Sequence, residues 1–331
     1  MKSFWQGTFI ITVCIAILAF THTYVFISTP ATPVRPVLME IKPGTSAWEI
    51  SLELKDRGII TDPCMFLAAA LATKKARHLQ AGTYVFEGKH FPLDIIHVLF
   101  KGRTLRYRVT IPEGSNIFDV GEIVAATGLI TKQEFVQSAQ KSETRTFFSI
   151  GAPTMEGYLY PDTYHLSPHM TALEIMAKMM CRFNQIYTSK MQQQADALGL
   201  SKSQVLTLAS IIEKEAVFKN EKPIIASVFY NRLRRKMPLQ SDPTAIYGID
   251  NFHRRITPRD LLRDTPYNTY KHTGLPPGPI CSPDKHSINA VLWPSETDYL
   301  YFVSQGNGLH YFSRTLKEHN RAIAKTRKRR K

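Results

Sequence analysis

The chain has 331 residues, 44% apolar and 21% charged, a balance that excludes a disordered protein and leaves room for more than one domain. Lys and Arg outnumber Asp and Glu by 42 to 27, a net +15, which points to anionic partners: nucleic acid, lipid headgroups or an acidic cell-wall polymer. Cys14, Cys64, Cys181 and Cys281 stand far apart with no C-x-x-C, which excludes a zinc site and a disulfide framework and permits one disulfide or three buried free thiols beyond Cys14.

From Phe4 to Ile27 there is no Asp, Glu, Lys or Arg. At about 1.5 Å per residue that run crosses a hydrocarbon core of about 30 Å. Trp5 and Tyr24 sit near its ends, as interfacial aromatics do. A signal peptide has a shorter apolar region and a small-x-small exit, and Thr21-His22-Thr23-Tyr24 is a poor cleavage site. An uncleaved anchor over 6–28 is therefore predicted, with a cytoplasmic tip at 1–5. The Pro-rich stretch 29–36 is a linker that cannot hold a helix.

Residues 37–104 predict a small mixed domain. VLMEI is a strand, PGTS a turn, and Ser46 is placed to cap a helix with Trp48, Leu52 and Leu54 on its apolar side. A second helix is expected from about Asp62 to Lys74, then the strand LQAGTYVF, then a helix closed by Gly102. IKPGTSAWEISLELKDRGIIT at 41–61 aligns without gaps on IPEGSNIFDVGEIVAATGLIT at 111–131, matching Gly44 with Gly114, Trp48 with Phe118 and Gly58 with Gly128. This repeat resembles the start of LysM modules, which implies either binding of a glycan backbone by the first copy or a purely structural platform.

Residues 105–331 open with the strand RYRVTI and the second copy, followed by a helix through KQEFVQSAQK. The turn PTMEGYLYPDTYHL at 153–166 gathers Glu156, Tyr158, Tyr160, Asp162 and Tyr164. It reads as a turn packing its tyrosines, or as aromatic faces and carboxylates set for sugar. One long helix is expected from about Ala172 to Leu198. In VLTLASIIEKEA (205–216), Val205, Leu208, Ala209, Ile212 and Ala216 form one apolar arc at about 100° per residue. Thr207, Ser210 and Lys214 lie opposite, and Glu213 and Glu215 fall on the shoulders. A carboxylate at such an edge is half desolvated, which raises its pKa and suits general acid work. A helix ASVFYNRLRR follows with Asn231 on its flank. Then comes a loop with Gln240, Ser241, Asp242, Thr244 and Tyr247, and a Pro/Gly-rich loop at 265–283 read as too polar for core and suited to wall a groove. YLYFV and HYFS around GNG predict a hairpin, and a final helix ends in the basic run KTRKRRK.

Phosphate-binding glycine loops, H-E-x-x-H and G-x-S-x-G are absent, and the histidines lack metal spacing, so no cofactor and no metal are predicted. Two carboxylates two residues apart on one helix cannot flank one bond, as glycoside hydrolysis requires, so a single-acid mechanism fits better. ASIIEKEA, VFYNRL, LQSDPTAIYG, EGYLYPDTY, YNTY, GLPPGPI and YLYFV together resemble the YceG-like family of endolytic murein transglycosylases, over about residues 37–320. The resemblance implies an α+β fold with a single N-terminal transmembrane helix, a LysM-like subdomain over 37–104, and a mixed α/β catalytic domain over 105–331 outside the cytoplasmic membrane. It implies cleavage of the MurNAc–GlcNAc bond within nascent glycan strands, leaving a 1,6-anhydroMurNAc end and terminating elongation, in partnership with penicillin-binding synthases.

Helical geometry leaves Glu213 and Glu215 both open. The resemblance, including that of Glu215-Ala-Val-Phe to the Glu-Ser-x-Phe signature of other lytic transglycosylases, assigns catalysis to Glu215, with Glu213 as the alternate. It assigns Glu156, Asn231, Gln240, Asp242 and Tyr247 to binding sugar hydroxyls or N-acetyl groups. The rival reading is a non-catalytic, membrane-anchored peptidoglycan-binding scaffold for wall synthases. NRLRRK and the basic tail raise a nucleic-acid reading, which export sets aside; near anionic lipid each cation is worth about 1 kcal/mol.

Overall fold

The computed structural model describes residues 2–33, 35–249 and 256–329. Met1 of the expected tip and the last two residues of the basic tail lie outside them. The fold is α+β, with two compact units, 1–107 and 108–331.

The first unit begins with helix α1 (Lys2–Ser28), whose span Phe9–Ser28 is long and apolar enough to cross a membrane. Its last turn returns to the protein: Phe26 is buried in the core of this unit. Strand β1 (Val37–Ile41), helices α2 (Ala47–Asp56) and α3 (Pro63–Ala72), strand β2 (Gly82–Phe86) and helix α4 (Pro92–Lys101) follow. Ser46 starts α2 through a capping box: its Oγ accepts from Glu49 N, and Glu49 Oε2 accepts from Ser46 N at 2.8 Å, an arrangement worth about 1 kcal/mol. Asp62 caps α3, and Pro63 follows where a missing N–H costs nothing. β1 and β2 pair antiparallel, Val37 opposite Phe86 and Ile41 opposite Gly82. Met39, Leu54, Phe66, Tyr84, Phe86 and Ile95 are fully buried between the strands and helices. Each such side chain contributes about 1.5–3 kcal/mol.

Strand β3 (Tyr107–Thr110) leads into the second unit and its helices α5 (Ile117–Ala125), α6 (Lys132–Gln140) and α7 (Ser142–Phe147); β3 pairs with β4 (Thr163–Leu166). The repeat is visible in the backbone. Gly44 and Gly114 both turn at positive φ, +89° and +76°, which a side chain would resist. Asn116 caps α5 as Ser46 caps α2.

Beyond β4 come α8 (Ala172–Ile186), α9 (Ser189–Ala197), α10 (Lys202–Glu215), α11 (Lys222–Arg234), α12 (Asp242–Ile246), α13 (Lys285–Leu292), the hairpin β5 (Tyr301–Ser304) and β6 (His310–Ser313), and α14 (Leu316–Arg329). The helix expected across 172–198 is two helices. Thr188 accepts from Met191 N and restarts the chain as a cap, so α8 ends at Ile186.

α10 is not amphipathic, contrary to the arc read from its sequence. It packs against α9, α11, α12 and α13, and every residue from Val205 to Ile212 is buried. Its polar residues are satisfied locally: Thr207 Oγ1 donates to Ser203 O, and Ser210 Oγ donates to Thr207 O while accepting from Ile280 N. Ala216 lies just past the helix in extended backbone, off the expected arc. The 265–283 loop is core in part: Asn268 and Thr269 are buried, with hydrogen bonds meeting their polar atoms. Tyr158, Tyr160 and Tyr164 are buried, as the packing reading of that turn expects. All four cysteines are free; Cys281 is buried, but Cys64 and Cys181 are exposed.

Candidate active site

The two glutamates leave α10 in different directions. Glu213 is enclosed by protein donors. Its Oε2 accepts from Lys222 Nζ at 2.9 Å, Asp284 N at 3.0 Å and Ser287 Oγ at 2.6 Å. Lys222 Nζ also donates to Asp284 Oδ1 at 2.8 Å, so one lysine, 3% exposed, serves two carboxylates. Burial and the charge of Asp284 raise the pKa of Glu213, and Lys222 opposes them. Burial also works against the charge of Lys222, but its bonds to Asp284 and Glu213 outweigh that and raise its pKa. Glu113, Glu213 and Asp284 each bring a carboxylate oxygen to within 4.8 Å of the others. A cation there would face the ammonium that already bonds two of them, so these residues suit an internal ion-pair cluster better than a metal.

Glu215 is the last residue of α10 and keeps part of its surface open. Ser241 Oγ donates to its Oε1 at 2.5 Å. Among the described residues Oε2 has no hydrogen-bond partner. Burial pushes the pKa up to about 7; the Ser241 hydrogen bond pulls it down, Asp242 raises it and Arg232 lowers it. A carboxyl with that pKa is part protonated near neutrality, as a general acid must be.

Ser241 is fixed from several sides. Its N donates to Thr269 Oγ1, its carbonyl accepts from Thr244 Oγ1 at 2.6 Å, and the Thr244 and Thr269 hydroxyls bond each other at 2.8 Å. The segment expected to be loop thus contains α12, begun by Pro243 at a helix N-terminus. Arg232, buried in α11, ties down the residues before Ser241, Nη1 donating to Leu239 O at 2.9 Å and Gln240 Oε1 at 3.3 Å, and joins them to the start of β5 through Nε, which donates to Leu300 O at 2.7 Å.

The residues predicted to bind sugar divide. Gln240 and Asp242 are exposed near Glu215, and Asp242 Oδ1 accepts from Tyr270 OH at 2.5 Å. Asn231 is buried, and its Nδ2 is spent on the carbonyls of Thr297 and Tyr299. Glu156 is 1% exposed; its Oε2 accepts from Ile117 N at 3.0 Å and Tyr247 OH at 2.8 Å. Burial pushes its pKa up to about 8, so near neutrality it is mostly protonated. Gly157 beside it sits at φ +80°, and a Cβ there would lie 2.5 Å from Pro279. Tyr247 joins Glu156 and packs on Tyr267, with ring centroids 4.6 Å apart. Glu156 and Tyr247 therefore brace each other inside the fold, and Asn231 braces the segment 297–299 against α11. Arg232, Lys222, Thr269, Tyr270 and Asp284 carried no assignment from sequence. The VFYNRL motif, which holds Arg232, the YNTY motif, which holds Thr269 and Tyr270, and the hydrogen-bonding loop around Ser241 marked this neighbourhood.

The model of the YceG-like family matches residues 39–325. The chain belongs to the YceG-like family. An endolytic murein transglycosylase of Bacillus subtilis (strain 168) is 37% identical over 306 residues, covering 87% of this chain and 84% of that protein. One from Streptococcus pneumoniae (strain ATCC BAA-255 / R6) is 29% identical over 323 residues; the match covers 87% of this chain but 58% of that longer protein. A crystal structure of a putative yceG-like protein from Listeria monocytogenes superposes with a TM-score of 0.61 at 33% identity, over 87% of this chain and 99% of that one. Glu213 and Glu215 both fall inside the matched span.

Proposed function

We infer that this protein is an endolytic murein transglycosylase that cleaves the MurNAc–GlcNAc bond inside peptidoglycan glycan strands. The observation that carries the catalytic assignment is Glu215: one carboxyl oxygen is held by Ser241, the other is open, and the pKa lies near 7. Glu213 is the poorer acid because protein donors already occupy it.

In the reaction, protonated Glu215 gives its proton to the glycosidic oxygen as the bond from C1 of MurNAc breaks. The C6 hydroxyl of the same sugar then attacks C1 and returns its proton to the Glu215 carboxylate. One C–O bond breaks and one forms, no water is consumed, and the acid is regenerated. The product is a 1,6-anhydroMurNAc end. The exposed Gln240 and Asp242 bind the sugar beside Glu215, while Glu156, Tyr247 and Arg232 hold the walls. The closed bicyclic end cannot be extended at that position, which would terminate glycan elongation beside penicillin-binding synthases.

The apolar helix α1 anchors the chain in the cytoplasmic membrane, with residues 1–5 cytoplasmic, 6–28 spanning, 29–36 as linker and the remainder extracytoplasmic, where murein is. The order β1, α2, α3, β2 with antiparallel strands supports a LysM-like subdomain over 37–104, ahead of a catalytic domain over 105–331. Mass spectrometry of uncrosslinked glycan strands incubated with the wild type and with Glu215→Gln tests the assignment. Products lighter than hydrolysis products by one water, made by the wild type alone, are expected. Equal activity in the variant would overturn the role of Glu215.

A further inference from the structure

A second concave surface lies away from Glu215. It is a groove of about 1000 Å³ between α9, α11 and the segment that follows α13. Tyr230 and Arg234 of α11 line it, each about 200° around the helix from Arg232 at 100° per residue. Arg232 reaches toward the Glu215 wall, so the groove opens on the other face of α11.

The groove is built. Tyr230 OH donates to Val291 O at 2.8 Å, Gln194 Nε2 to Leu292 O at 2.9 Å, and Asn231 Nδ2 to Thr297 O at 2.8 Å. Trp293 N donates to Asn289 O at 2.8 Å, and Ser295 N to Pro223 O. On this fixed backbone Trp293 is 41% exposed and lines the groove. A rigid indole face left open beside hydrogen-bonding groups matches the alternating apolar faces and hydroxyl edges of a sugar ring. Beside it a smaller recess is lined by Arg234, Arg235 and Asp298. Asp298 is already paired, accepting from Arg314 Nε at 2.7 Å. Arg234 also donates to Asn231 Oδ1, and Arg235 feels the charge of Asp298. But Arg234, Arg235 and Arg314 face only two carboxylates, Asp298 and Glu296, and that one-charge surplus on exposed guanidiniums favours an anionic ligand at the arginine end.

We propose that this groove is a second, non-catalytic saccharide site that holds a distal segment of the murein strand, with a sugar ring on Trp293 and a peptide-stem carboxylate on Arg234 and Arg235. It rests on the murein reading above, because that polymer joins sugar rings to carboxylate-bearing peptides. A strand gripped here while another part is cleaved stays on the enzyme between cuts, so long strands are favoured over short ones.

The chain has three tryptophans, Trp5, Trp48 and Trp293. Full-length protein in detergent carrying Trp5→Phe, Trp48→Phe and Glu215→Gln reports Trp293 alone, without turnover. Titration with uncrosslinked strands should change its emission saturably, and Arg234→Gln with Arg235→Gln should weaken that binding about five-fold, equivalent to about 1 kcal/mol at 1.4 kcal/mol per tenfold. In the otherwise native chain, Trp293→Ala should raise KM for long strands about five-fold, leave short oligosaccharides unaffected, and be rescued by Trp293→Phe. Emission indifferent to saturating strands, or equal effects on long and short substrates, would overturn the site. Loss of cleavage by the wild type itself would instead count against the murein reading, so the two failures are distinguishable.

Discussion

Ser241 Oγ stands 2.5 Å from Glu215 Oε1 and donates to it. The same carboxyl is pushed up to about 7 by burial, and this hydrogen bond is the largest influence pulling it down. The Ser241→Ala variant should therefore have a higher Glu215 pKa. A general acid works while protonated, so the alkaline limb of the pH–rate profile should move to higher pH. Loss of a hydrogen bond to a charged group, worth about 1.5–3 kcal/mol, should lower kcat by roughly tenfold or more. Profiles of kcat/KM on glycan strands check both; an unmoved alkaline limb would separate Ser241 from the acid.

Asp242 acts in the opposite sense. Its charge raises the Glu215 pKa. In Asp242→Asn the pKa should fall, and the alkaline limb should move to lower pH. Opposite displacements in the Ser241 and Asp242 variants, read in one assay, identify the titrating group as Glu215.

Lys222 is 3% exposed and bridges Glu213 and Asp284. Removing it as Lys222→Met leaves two buried carboxylates without their cation. Breaking such a pair costs about 3–5 kcal/mol, so the urea midpoint should fall markedly. Glu213→Gln keeps an acceptor for Ser287 and should lose less. If Lys222→Met matches the wild type in urea, the cluster does not stabilise the fold.

Glu156 gives a pH-dependent stability. Its pKa rises from 4.5 to about 8 on folding because burial disfavours the charged form. The folded state then binds more protons than the unfolded state between those values, so stability decreases with rising pH. The contribution is fully present below about 4.5 and is lost as pH rises through about 8. Glu156→Gln cannot ionise and should show a flatter dependence over that window, with higher relative stability at pH 9. Denaturation curves at pH 5, 7 and 9 for both proteins make the comparison; parallel curves would place the Glu156 proton elsewhere.

Local signals were legible wherever neighbours in sequence supply the physics. The apolar run of α1, the Ser46 cap, the Gly102 stop, the GNG hairpin and the Gly44/Gly114 repeat each rest on contacts within a few residues. The break at Thr188 is also local, but an uninterrupted helical pattern masks a cap whose hydroxyl competes for the backbone. The polar face of α10 misled because Ser210 and Thr207 bond their own helix, which lets them be buried.

The chain's order of residues alone placed two acidic candidates at the end of one helix and set the family pattern around them. It could not separate them, since 3.6-residue geometry puts both at similar angles to the apolar side. Tertiary structure decided their surroundings. Glu213 meets Ser287 and Asp284, 74 and 71 residues away, and Glu215 meets Ser241, 26 residues away. A carboxyl's pKa and its free lone pairs depend on which groups exclude water from it and which donate to it. Those groups arrive only when distant segments pack together, so a glutamate's role in an ion pair or as an acid is a property of the folded site.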